Sequence, residues 1–156
     1  MARDATARLY DVDAKSVIYK KPDKKGKYDR GTITFRAKKG KLINLDKLHE
    51  SVWATRLSGG TRSSLVTLDV TVVGEVMTSD DKLVVQVAGS DDFFVLGEFD
   101  GDASKLEKLR KAFGEGQTIT SVTGRVEGWV GHWPQFLNKA PPLQPRLLVS
   151  NFELKK

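Results

Sequence analysis

The stretch Leu65–Val76, LVTLDVTVVGEV, governs how the rest of the chain is read. Leu68, Val70, Val72 and Val76 alternate with Thr67, Asp69, Thr71 and Glu75, the two-residue period of a strand with one buried face. Gly74 takes the inward place between Val72 and Val76, where a missing side chain lets a strand bend or bulge. A long strand that bends in the middle belongs to a sheet that curls. Beyond it, Leu83, Val85 and Val87 mark a second strand, the acidic Ser90-Asp91-Asp92 a turn, and Phe93 to Phe99 a third strand. Ser104 with Glu107 three residues on reads as a capping box for a helix whose apolar stripe is Leu106, Leu109 and Phe113, closed by Gly114. Ile119 to Val130 is a fourth strand, with Val122, Gly124, Val126 and Gly128 on one face, and Arg146 to Leu154 a fifth.

Upstream, Leu9 to Tyr19 reads as a strand, and Lys20 to Arg30 carries the Pro, Asp and Gly of a turn. In Thr32–Ala37 the apolar Ile33, Phe35 and Ala37 alternate on one face. Asn44 is placed to cap a helix running to about Leu57, with Leu45, Leu48 and Val52 as its buried stripe and Gly59-Gly60 ending it.

Residues 65–154 resemble an OB-fold domain in this element order and in two glycine-interrupted strands, Val73-Gly74-Glu75-Val76 and Thr123-Gly124-Arg125-Val126. The resemblance implies an α+β protein. Its core would be a five-stranded OB-like β-barrel with one helix between strands 3 and 4, binding oligonucleotides or oligosaccharides across its second and third strands and nearby loops. On that reading residues 65–156 form the barrel, and residues 1–64 are a basic strand-strand-helix segment packed on it. Gly31 to Val76 resembles the second half of a ferredoxin-like heavy-metal-associated domain, through Ile33-Thr34-Phe35, the helix Leu45-Asp46-Lys47-Leu48 and a returning strand. That family holds metal through a Cys-x-x-Cys loop. This chain has no cysteine, so the resemblance carries over no metal site.

The 156 residues suffice to bury a proper core, and no apolar run reaches the ~20 residues that span a bilayer. The first residues contain no apolar signal core. Two cases stay open: a cytoplasmic protein, or an exported one whose leader has been replaced. The net charge of +6 is unevenly spread. Lys15 to Lys41 holds 11 basic residues against two acids, whereas Ser79 to Glu115 holds nine acids against five bases. Such a chain steers a polyanion toward one end. The same lysines, among them Lys24, Lys25 and Lys27, also suit a solvated hairpin tip.

The loop between the fourth and fifth strands, WVGHWPQFLNKAPPLQP over Trp129–Pro145, concentrates Trp129, His132, Trp133 and Phe136 with the cation Lys139, between Arg125 and Arg146. Aromatic planes beside Arg and Lys are what single-stranded nucleic acid requires: bases stack and cations hold phosphates. Aromatic rings also stack on sugars, and the same side chains can fold back to close the barrel end. His49 and His132 are the only histidines, short of the three or four ligands of a zinc site. Asp80-Asp81 and Asp91-Asp92 fall at turns, where Asp is favoured for local reasons. No serine sits in a nucleophile context and Gly114-Glu115-Gly116 is no phosphate loop, so the chain carries no residue set for catalysis and no cofactor. Two functions remain. One is a non-enzymatic module holding single-stranded nucleic acid or another polyanion. The other is a secreted or periplasmic accessory protein whose OB-like barrel contacts protein or glycan, without a metal.

Overall fold

The structure, a computed structural model, describes residues 2–20, 32–38, 41, 44–54, 68–127 and 146–156. The chain divides into two compact units, Met1–Leu65 and Val66–Lys156.

The first unit contains a short helix α1 (Ala2–Ala7), a 3-10 turn at Ala14–Ser16, the paired strands β1 (Ile18–Lys20) and β2 (Thr32–Thr34), and helix α2 (Leu45–Ala54). The expected strand over Leu9–Tyr19 is cut back to β1, and α1 lies where no element was expected. The reason is local. The Asp13 side chain accepts from Lys15 N at 3.1 Å, and Ser16 Oγ donates to Asp13 O while accepting from Arg36 N, both at 2.7 Å. These side chains take the hydrogen bonds that a longer ladder would need. Asn44 does cap α2, its Oδ1 accepting from Lys47 N at 2.9 Å. Leu48 and Val52 are buried with Ala5, Val12 and Val17, and Ser51 Oγ ties α2 to Ala5 O of α1 at 2.9 Å. The helix end expected near Leu57 lies outside the described residues.

The second unit is a mixed α/β structure whose five strands close on themselves. They are β3 (Asp69–Ser79), β4 (Lys82–Val87), β5 (Phe93–Glu98), β6 (Ile119–Glu127) and β7 (Arg146–Leu154), with helix α3 (Ser104–Gly114) between β5 and β6. The ring runs β3-β4-β5-β7-β6 and back to β3, antiparallel except for β5 beside β7. Closure depends on β3 serving two neighbours: Asp69–Val73 pair with β6 and Gly74–Ser79 with β4. Gly74 stands at the hand-over, where a Cβ would overlap the Gln86 carbonyl oxygen. Gly124 follows a register shift between β6 and β7, and a Cβ there would overlap the Leu148 carbonyl oxygen. Both glycines are therefore close-approach positions, one where a strand changes partner and one at an irregularity of the ladder.

The helix departs from expectation in three ways. Ser104 and Glu107 form no capping box: Ala103 is the N-cap and gives no side-chain bond, while Asp102 Oδ1 accepts from Ser104 N at 2.9 Å. The Phe99–Asp102 turn, with φ of 45° at Asp100 and 76° at Gly101, aims that carboxylate at the helix start. Ala112 joins Leu106 and Leu109 in the buried stripe, while Phe113 is only half-buried, and α3 packs chiefly on β5 and β7. The left-handed residue that ends the helix is Gly116, at φ 77°, two positions beyond Gly114.

Donation from the Ser104 backbone N–H, then from its side chain, holds the Asp102 carboxyl below the usual carboxylate range. A depressed carboxylate stabilises the folded state above its unfolded pKa of about 3.9, and that stabilisation is lost as pH falls through the lower folded value. Asp102→Ala should therefore lower the urea midpoint at pH 7. The gap to the parent should close as the pH drops below about 4. A gap of equal size at pH 3 would show that the cap does not act through its charge.

Candidate functional site

Of the residues expected to bind, Arg125 and Arg146 fall among the described ones. Trp129, Trp133, Phe136, Lys139, Lys24, Lys25 and Lys27 lie outside them, so the expected aromatic loop and basic turn fall outside the described residues. Arg125 and Glu127 share one face of β6, and Arg146 pairs across from Glu127, so both arginines stand on the same side of the sheet.

Each arginine is already engaged. Arg125 Nε bonds Asp69 Oδ1 at 2.9 Å and its Nη2 reaches Asp69 Oδ2 at 3.5 Å, a fork on the residue directly across in β3. Its Nη1 lies 3.8 Å from Asp100 Oδ2, and the guanidinium stacks 5.0 Å from the centre of the Phe99 ring. The Asp69 hydrogen bond raises the Arg125 pKa further above its already high value. Arg146 Nη1 meets Glu127 Oε2 at 3.1 Å. A phosphate arriving here would have to displace carboxylates.

Beside them lies an open cleft of about 440 Å³, floored by Leu96 and Leu148 and bordered by α3 at Leu106. Its charged lining is Glu98, Asp100 and Glu127 against Arg110 and Arg146, an excess of one negative charge. Among the described residues, no three His, Cys, Asp or Glu side chains converge on a metal position. The same sign extends over the whole barrel unit, which has 13 acids against 10 bases from residue 66 onward. Residues 1–65 have 16 bases against 7 acids. The positive charge therefore belongs to the N-terminal unit.

In that unit the backbone gathers cations around an aromatic ring. Val12 bridges Ala37, Lys38 N donates to Asp11 O at 2.7 Å, and a turn brings Lys41 N to Lys38 O at 3.0 Å. Lys38 Nζ and Lys41 Nζ consequently lie 4.9 and 5.6 Å from the centre of the Tyr10 ring. Tyr10 is 73% exposed, and Ile18 and Tyr19 on β1 are exposed as well. Sequence reasoning passed over Tyr10 because its lysine partners lie 28 and 31 positions away. The usable signal was an aromatic in a basic half of the chain that carries no apolar period around it.

No family model, no curated protein and no solved structure matches this chain. Among the described residues, no helix is long and apolar enough to cross a membrane.

Proposed function

We propose that the chain is a non-enzymatic binding module that holds single-stranded nucleic acid. The observation that carries this reading is the strand ring. Numbered within the barrel, the order is first, second, third, fifth, fourth, with a parallel contact between third and fifth and a helix between third and fourth. This arrangement supports an OB-type barrel, a frame that often serves oligonucleotides and oligosaccharides. The +9 balance of the N-terminal unit favours a polyanion of the two. The aromatic loop Trp129–Pro145, at the position that borders the binding face in such barrels, would supply stacking, and Lys24, Lys25 and Lys27 would hold phosphates.

Fluorescence anisotropy with a labelled 15-nucleotide single strand tests this directly. Binding should be tight at low salt, and log K should fall linearly with log salt, by about 0.7 per neutralised phosphate. Replacing Lys24, Lys25 and Lys27 together with alanine should reduce that slope by about 2. Absence of binding at low salt would refute the reading. The second reading, a barrel that contacts protein or glycan in an exported accessory protein, is favoured by the paired state of Arg125 and Arg146.

A further inference from the structure

We propose that Tyr10, with Lys38 and Lys41, forms a base-stacking site for single-stranded nucleic acid on the N-terminal unit. The proposal rests on the nucleic-acid reading above and adds to it residues other than those of Trp129–Pro145. Two observations lead to it. The ring is 73% exposed, so it contributes little to the core formed by Ala5, Val12, Val17, Leu48 and Val52. Two ammonium groups stand within 5.6 Å of its centre, on residues whose backbone is anchored by hydrogen bonds from Lys38 N to Asp11 O and from Lys41 N to Lys38 O. A ring face attracts a cation without neutralising it.

The consequence is electrostatic. Two like charges gathered at one ring repel each other, and a bound anion relieves that repulsion. Arg125 and Arg146 differ in this respect, since carboxylates already satisfy them. A base laid on the exposed phenol ring would bring its own phosphate to the lysines, the pairing of aromatic plane and cation on which sequence-tolerant single-strand binding relies. A sulfated or phosphorylated polymer without bases would engage the lysines and leave the ring idle, so the site discriminates by the base.

The test uses the full chain and two labelled probes of 15 residues: oligothymidylate, and a strand of abasic sites with the same phosphate spacing. Tyr10→Ala should weaken oligothymidylate binding about tenfold and leave the abasic strand unaffected. Tyr10→Trp should retain the affinity. Tyr10→Leu, which preserves apolar bulk without a planar face, should lose it as the alanine variant does. Lys38→Ala with Lys41→Ala should weaken both probes and lower the salt slope by about 1.4. Equal oligothymidylate affinity for parent and Tyr10→Ala would overturn this site while leaving the nucleic-acid reading in place. Equal affinity of the parent for the two probes would overturn base stacking in favour of charge alone. A parent that binds neither probe would bring down the nucleic-acid reading itself.

Discussion

Leu109→Ala should lower the free energy of unfolding by about 2–5 kcal/mol, read as a lower urea midpoint with an unchanged slope. Leu109 is 0% exposed, the most enclosed side chain of α3, and it lies between Leu106 and Ala112 on the stripe that α3 presents to its neighbours β5 and β7. Truncation removes three carbons from water-free packing and leaves a cavity that strands on a closed ring have little freedom to fill. The cost should sit in the upper half of the range for that reason. Lys108→Ala, on the exposed side of the same helix, should change stability by less than about 0.5 kcal/mol. A Leu109→Ala variant as stable as the parent would mean that α3 is not part of the barrel core.

Gly74→Ala should cost at least about 3 kcal/mol, at or beyond the top of the usual overpacking range. The added methyl would overlap the backbone oxygen of Gln86 and approach Ala88 N to 3.3 Å. Backbone cannot rotate away as a side-chain tip can. Relief would require β3 and β4 to separate where β3 passes from one neighbour to the other, which opens the ring. Gly114→Ala is the matched control, because nothing lies within 4 Å of its Cβ position and it sits in the last turn of α3. It should stabilise the protein by about 0.5–1 kcal/mol, since alanine loses less backbone freedom on folding than glycine. Far-UV circular dichroism during urea titration reads both variants. A Gly74→Ala protein with the parent's midpoint would show that β3 and β4 do not approach this closely at Gly74.

Much of the barrel was legible from side-chain period. The fifth strand runs Arg146–Leu154 at both ends as expected, the helix spans Ser104–Gly114, and the first strand, Asp69–Ser79, overlaps the expected stretch with Gly74 inside it and runs three residues further. These elements each bury one face, so a slip of one residue would turn the whole apolar set outward and the register is strongly specified. The N-terminal unit was read less well. Its strands are three residues long, β1 is exposed throughout, and the buried Val12 and Val17 lie five residues apart, so burial imposes no two-residue period on Leu9–Tyr19. The side-chain bond at the helix start comes from Asp102, two residues before Ser104, because a turn with two left-handed residues brings its carboxylate to the first helical N–H.

The candidate site divides along the same line. Residue type and local spacing in the sequence determined that this chain has a basic half and an acidic half, a first strand interrupted by a glycine and an aromatic-rich segment before its last strand. Only the tertiary structure decided that Arg125 is spent on Asp69, 56 positions away, that Arg146 is spent on Glu127, and that two distant lysines meet at Tyr10. It also decided that β5 lies parallel to β7, the contact that closes the ring. The physical reason is range. Periodicity is a property of neighbouring residues along the chain, whereas the availability of a charge depends on what lies within a few ångströms of it, and that distance is set by how strands pair.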